Sequence, residues 1–353
     1  MPKVTIVGAG IVGLAVASML SRSHEVTIIA RDMPGDPPSH KWASPWAGAV
    51  YIGLDGANTA EQKMQKEAFA FLWALAESNP ESSVKRIEMI DMQDEITVDS
   101  IWYKDFMPGF RVMHPDELPE GVVCGMNYQT VILNPTLFLP WLAQQLRDRG
   151  VVFVRKTVES LSDLSYLGHD VVVNSTGSGA RYLHDVSDEN VYEVRGQTML
   201  VKTDFDKIVM RHGKDYTYVI PRLDGTAILG GTRQINNTDT AVDLDLRDDI
   251  LRRVHEHAPS VFKSNSIDNV EIIRHNVGFR PARTGGVRVE KERIGGQNVV
   301  HAYGENHALL HKSDNSLLSI GVGGGGYVFS FGVARAAGAL VDDFVFSPPQ
   351  ARL

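Results

Sequence analysis

A single cysteine, Cys124, in a chain of 353 residues excludes an intramolecular disulfide and a metal site built of thiolates. Its expected state is a reduced, inert thiol. Basic residues are in the minority: 35 lysines and arginines face 43 aspartates and glutamates, a net charge of -8. That balance leaves no electrostatic footprint for nucleic acid. It also repels small anions at long range, so an anionic substrate needs cations placed locally. No apolar run reaches the roughly 18 residues of a membrane span. The apolar N-terminus differs from a signal peptide in its glycines and in lacking a basic leading region. What is present, 43% hydrophobic and 22% charged residues, is ordinary for a globular chain of one large or two medium domains.

The first thirty residues carry the strongest pattern. An apolar strand, Lys3 to Val7, runs through Gly8-Ala9-Gly10-Ile11-Val12-Gly13 into a helix with small residues, then into a second apolar run, Glu25 to Ala30. In such a turn the first glycine allows the tight bend, the second lets backbone approach a pyrophosphate, and the third lets helix and strand pack closely. The helix N-terminus presents N–H groups to phosphate charge. Arg31 and Asp32 end the second strand, where an acid can accept both hydroxyls of an adenosine ribose. Strand, glycine turn, helix, strand and acid together predict a dinucleotide site.

Further along, a Pro-rich loop leads into Trp42-Ala43-Ser44-Pro45-Trp46-Ala47-Gly48-Ala49, small enough to let a cofactor reach backbone. Helical spacing of Met64, Phe69, Leu72, Trp73 and Leu75 predicts a helix over Glu61 to Glu77 with a core stripe. Short strands are expected in RIEMI, EITVDSIWY and FRVM between Val84 and Val123. A helix, Leu137 to Arg149, precedes strands at Val151 to Arg155 and Asp170 to Asn174. Strands dominate from Tyr192 to Ile235, with hairpin-like glycines at Asp224-Gly225 and Gly230-Gly231. Helix (Leu246 to Ala258), strand (Val270 to Val277) and a final helix (Phe331 to Phe344) follow. The alternation predicts an α/β fold: a discontinuous Rossmann-type parallel-sheet domain (1–58, 130–188, 284–353) interleaved with an antiparallel-sheet substrate domain (59–129, 189–283).

Seven stretches taken in order sharpen this reading: VGAGIVGL, SPWAGA, NSTGSGA, VRGQT, DYTYVIPRLDGTAILGGTRQ, EIIRHNVGFRPAR, and VVHAYG followed by GGGGYVFSFG. From residue 3 to about 344 the chain resembles the D-amino-acid oxidase family of flavoproteins. The resemblance implies non-covalent FAD, held by Gly8, Gly10, Ile11, Val12, Gly13, Arg31, Asp32, Ala43, Ser44, Ala47, Gly48, Val158, Gly177, Arg280, Gly325, Gly326, Tyr327, Val328 and Phe329. It also implies that Arg280 and Tyr218 hold a substrate α-carboxylate while the α-hydrogen leaves as hydride to the flavin, with O2 as final oxidant. A guanidinium fork matches a carboxylate bidentately, and a phenol adds a directional bond. The competing readings are a surface ion pair for Arg280 and a half-buried core position for Tyr218. No general base is needed for hydride transfer from a neutral amine, so orientation carries the catalysis.

GGTRQ, with Arg233, resembles the D-aspartate-oxidising branch of that family, as does an arginine ahead of the TY strand, here Arg211. A second substrate carboxylate needs a second cation, because a buried unpaired charge is costly. Arg233 is the first candidate and Arg211 the second, with His212 and Lys214 nearby; the alternative is that both arginines pair with surface carboxylates. The implied activity is oxidative deamination of acidic D-amino acids, D-aspartate or D-glutamate. The alternatives are an oxidase of neutral D-amino acids and a non-catalytic dinucleotide-binding protein.

No metal site is expected: His307 and His311 have i, i+4 spacing but no third ligand, and His255 and His257 read as solvated. The stretch Glu305 to Val322 departs from the family pattern and is compatible with a lid, a homo-oligomer contact or an unspliced piece with no role. The final Ala351-Arg352-Leu353 reads as a peroxisomal address for the import receptor.

Overall fold

The computed structural model describes residues 1–262, 267–304 and 325–347. The stretch 305–322, with His307 and His311, and the final Ala351-Arg352-Leu353 lie outside the described residues.

The chain opens with β1 (Lys3–Val7), α1 (Ile11–Leu20), β2 (Glu25–Ala30) and α2 (Thr59–Ser78). Next come β3 (Lys85–Gln93), β4 (Arg111–Val112), β5 (Cys124–Ile132), α3 (Pro135–Asp148), β6 (Val152–Arg155) and β7 (Val171–Asn174). A run of strands follows: β8 (Val191–Lys202), β9 (Ile208–His212), β10 (Thr217–Pro221), β11 (Thr226–Gly230) and β12 (Gln234–Ile235). The described chain closes with α4 (Leu244–His257), β13 (Ile272–Arg283), β14 (Arg288–Ile294), β15 (Gln297–Tyr303) and α5 (Gly326–Phe346).

Six strands form the first sheet in the order β14-β15-β7-β1-β2-β6. All neighbours in it are parallel except the β14–β15 hairpin. Its central strands are continuous apolar runs because both faces are covered; Val171, Val172 and Val173 are fully buried. Helix α1, IVGLAVASML, is apolar on nearly every side and is accordingly buried, with α5 packed beside it. Helix α2 starts at Thr59 rather than Glu61 because Asn58 caps it. The Asn58 side chain accepts from the Glu61 N–H at 3.0 Å, and the Glu61 carboxylate accepts from the Asn58 N–H at 3.0 Å. On its packed face Phe71 stacks on Phe331 of α5 with ring centroids 3.7 Å apart.

The second sheet has nine strands, ordered β12-β8-β11-β10-β9-β3-β5-β4, with β13 running antiparallel along β8. The strand expected in EITVDSIWY does not form: residues 98–100 make a short 3-10 turn. Tertiary contacts override the alternation there, with Trp102 Nε1 donating to the Leu54 carbonyl at 2.9 Å and the Tyr103 hydroxyl to Asp91 at 2.9 Å. Register decides which side chains share a face. Asp91, Met210, Tyr218 and Gly230 are successive partners across β3, β9, β10 and β11. Met92, Arg211 and Thr217 form the adjacent row, which points to the opposite face. That opposite face packs on α4 through Val209, Val219, Leu229, Ile250 and Val254. Among the described residues no helix is long and apolar enough to cross a membrane. Cys124 is a free, buried thiol, and burial raises its pKa.

Candidate active site

A cavity of about 720 Å³ extends from the carboxyl ends of β1, β2 and β7, lined there by Val7, Ala30 and Ser175, to Met210, Tyr216 and Tyr218 of the second sheet. The carboxyl edge of a parallel sheet is where open α/β folds bind ligands.

At the first end the glycine turn is sterically required. Gly8 has φ of +113°, and a Cβ on it would stand 2.3 Å from the Ser175 carbonyl oxygen. A Cβ on Gly13 would meet the Gly8 carbonyl oxygen at 2.0 Å. Ser44 Oγ accepts from the Ile11 N–H at 3.0 Å, joining the small-residue loop to the start of α1. The Asp32 carboxylate accepts from Arg31 Nε at 2.7 Å and from the Ser39 hydroxyl at 3.0 Å. Tyr327, its pKa raised by burial, donates its hydroxyl to the Ser44 carbonyl at 3.1 Å.

Of the cofactor contacts expected from sequence, Gly8, Gly10, Ile11, Val12, Arg31, Asp32, Ala43, Ser44, Ala47, Gly48, Val158, Gly177, Arg280, Gly326, Tyr327 and Val328 line the cavity. Gly13, Gly325 and Phe329 stand behind it. Gly13 packs on Gly8, and the Phe329 ring lies 2.9 Å from where a Cβ on Gly325 would project. Trp42 also lines the cavity, and its buried Nε1 has no hydrogen-bond partner among the described residues. No motif in the sequence singles Trp42 out for a role.

At the second end Tyr218 and Arg280 come together from β10 and β13. Arg280 NH1 donates to the Thr232 carbonyl at 2.9 Å. The guanidinium lies on the Gly196 backbone: a Cβ there would be 2.5 Å from NH1 and 2.7 Å from Cζ. Gly230 and Gly231, expected as a hairpin turn, instead form a ledge under Tyr218, since Cβ atoms on them would stand 2.3 Å and 2.2 Å from its ring. Burial pushes the Tyr218 phenol up to about 12, with Arg280 and Arg233 pulling the other way. The phenol is therefore a proton donor at neutral pH, flanked by two cations.

Arg233 lies 3.6 Å over the Tyr216 ring, and its buried Nε and NH2 have no hydrogen-bond partner among the described residues. Tyr216 itself meets Tyr218 edge-on at 5.5 Å. Arg253 of α4, unforeseen from sequence, holds this corner from behind. It donates to the Tyr216 carbonyl, to the Gly231 carbonyl at 3.1 Å and to the Thr217 hydroxyl at 3.2 Å, and pairs with Asp249 at 2.9 Å.

Arg211 does not join this group, contrary to expectation. It is on the α4 face of β9, where Nε donates to Asp94 at 2.8 Å, NH2 donates to the Glu120 carbonyl at 3.2 Å, and NH1 stands 3.3 Å from the His257 ring. Strand alternation puts Met210 in the cavity and turns Arg211 away. His257 is correspondingly half-buried rather than solvated, and burial and Arg211 lower its pKa.

On the cavity face of the same sheet lies a buried polar cluster. Asp91 accepts from the hydroxyls of Tyr103 at 2.9 Å and Tyr128 at 2.8 Å and faces His212 Nε2 at 3.2 Å. Burial pushes neighbouring Asp55 up to about 6, His212 opposing this and Asp91 reinforcing it. A carboxyl with a raised folded pKa contributes its full stability below the unfolded value of 3.8 and loses it as pH rises through about 6. Asp55→Asn is therefore expected to stabilise the protein at pH 7.5 by roughly 2 to 3 kcal/mol and to converge with wild type near pH 4. Urea denaturation across that range checks it, and parallel curves would remove Asp55 from the titration.

Together, turn, acid and cavity define a dinucleotide-binding α/β protein whose chamber extends onto a second, largely antiparallel sheet. The chain belongs to the FAD dependent oxidoreductase (DAO) family, whose model matches residues 3–340. It is 28% identical to a D-amino-acid oxidase of Fusarium vanettenii over 96% of each chain. It is 29% identical to a D-aspartate oxidase of Talaromyces thermophilus, covering 96% of this chain and 95% of that one. A D-amino-acid oxidase of Schizosaccharomyces pombe is 31% identical, with 85% and 90% covered. Among solved structures, glycine oxidase from Bacillus cereus superposes with a TM-score of 0.70 over 97% of this chain and 95% of that one, at 16% identity.

The cofactor is FAD, and the residues present fit it. Asp32, just past the end of β2, lines the cavity where it would meet a ribose, the Gly8–Gly13 turn would leave backbone bare for a pyrophosphate, and the cavity continues to Tyr218 and Arg280.

Proposed function

We propose that this oxidoreductase deaminates acidic D-amino acids, converting D-aspartate, O2 and water to oxaloacetate, ammonia and hydrogen peroxide. The observation that carries the reading is Arg233. A guanidinium stacked on the cavity-lining Tyr216, with two buried nitrogens unpartnered among the described residues, suits a carboxylate beside a Tyr218–Arg280 pair suited to another. Two carboxylates on one substrate satisfy both.

Bound FAD supplies the two-electron acceptor that O2 regenerates. The residues do the orienting. Arg280 and the protonated Tyr218 fix the α-carboxylate, Arg233 fixes the far end, and three anchors aim the Cα–H bond. Met210 and Ile220 add apolar wall to the cavity beside these anchors. We further propose that the C-terminal Ala-Arg-Leu directs the protein to the peroxisomal matrix, a destination suited to a peroxide-forming enzyme.

Peroxide release by the FAD-loaded protein is measured with D-aspartate, D-glutamate, D-alanine and L-aspartate side by side. Activity confined to the acidic D-substrates is expected. A preference for D-alanine would leave family and cofactor untouched and exclude Arg233 from substrate binding.

A further inference from the structure

We infer that Trp42 donates its indole N–H to the FAD pyrophosphate, adding a neutral side-chain donor to the glycine turn. The inference rests on FAD as the cofactor and not on the choice of substrate. Trp42 is 7% exposed, and its Nε1, a group that can only donate, is buried without a hydrogen-bond partner among the described residues. A buried donor left unsatisfied carries the full desolvation penalty. Trp46 Nε1 donates to the Ser39 carbonyl at 2.8 Å and Trp102 Nε1 to the Leu54 carbonyl at 2.9 Å; Trp141 Nε1 is likewise unpartnered among the described residues, but unlike Trp42 it does not line the cavity.

The unsatisfied atom is placed where an anion is expected. Nε1 lies 3.8 Å from the point a Cβ on Gly10 would occupy, at the N-terminal cap of the ten-residue helix α1. Ser44 Oγ is 3.0 Å from the same point and accepts from the Ile11 N–H. Trp42 and Ser44 therefore flank the bare backbone of Gly10 at the positive end of the helix dipole.

Of the cations that line the cavity, Lys41 and Lys156 among them, Arg31 is otherwise engaged. Arg31 pairs with Asp32 and donates to the Lys41 carbonyl at 2.9 Å. This contact fixes the residue preceding Trp42, whose own N–H donates to the Ser39 carbonyl at 3.1 Å. The peptide unit leading into the indole is thus held at both its carbonyl and its N–H. At Gly10 the helix N-terminus and the indole donor would together face the pyrophosphate.

Trp42→Phe keeps an aromatic ring and removes the donor together with part of the indole's volume, so the Kd is read alongside a probe of the phosphates themselves. Dilution of the full-length holoenzyme, followed by flavin fluorescence, is expected to show an FAD Kd about 10- to 100-fold higher than wild type, the range for a hydrogen bond to a charged group. The phosphorus resonances of bound FAD are expected to move between the two proteins. An unchanged Kd, or a raised Kd with unmoved phosphorus resonances, would overturn the inference and leave Trp42 a packing residue. If the variant does not fold, nitrogen-15 indole spectra of the wild-type chain give the answer. The Trp42 indole proton moves downfield with FAD but not with saturating riboflavin, which has no phosphate; equal shifts with both overturn the contact.

Discussion

Arg280→Met is expected to lower turnover of every D-amino acid alike, because all share the α-carboxylate that this guanidinium is proposed to hold. The side chain is fixed by its bond to the Thr232 carbonyl at 2.9 Å and by the bare backbone of Gly196 beneath it. Methionine occupies similar space without the fork. Loss of one partner of a buried charge-assisted pair costs about 2 to 5 kcal/mol, or roughly thirtyfold to several thousandfold in kcat/KM. Both D-aspartate and D-alanine are measured, with the flavin spectrum confirming that cofactor is retained. Retained activity with D-alanine would show that the carboxylate anchor lies elsewhere.

Arg233→Tyr is the second large effect, and it is selective. Removing the far cation should cost D-aspartate about 2 to 5 kcal/mol in kcat/KM, since its side-chain carboxylate is then buried opposite nothing. D-alanine, with a methyl group in that place, should be spared or improved. The ratio of the two substrates is the informative quantity. An equal fall in both would mean that Arg233 supports the Tyr216 ring on which it stacks at 3.6 Å and touches no substrate. Together the two variants separate the two carboxylates: one abolishes a contact common to all substrates, the other a contact only acidic ones make.

The contrast between Arg233 and Arg211 shows where sequence reasoning stops. Both were candidates for the same charge, and both are arginines close to Tyr218 in sequence. Within one strand the period of two tells which neighbours share a face. Between β9 and β10 the chain passes through residues 213–216, and the turn length resets the phase. Met210, not Arg211, becomes the partner of Tyr218. The same limit applies to Gly230 and Gly231, whose composition suits a turn but whose place is under an aromatic ring. It applies to Arg253 as well, because its partners, the carbonyls of Tyr216 and Gly231, are brought to it only by the packing of α4 on the sheet.

By itself the sequence determined the dinucleotide end of the molecule and the class of fold. There the requirements are local: a positive φ at Gly8, bare backbone at Gly10, close packing at Gly13 and an acid at the end of β2 all fall within thirty consecutive residues. At the far end of the cavity the family resemblance named Tyr218, Arg233 and Arg280, and tertiary structure decided how the side chains there are arranged. Tyr216 and Tyr218, Arg233, and Arg280 come from three separate segments. Which of their side chains meet follows from strand register and sheet order, which no short stretch of sequence encodes.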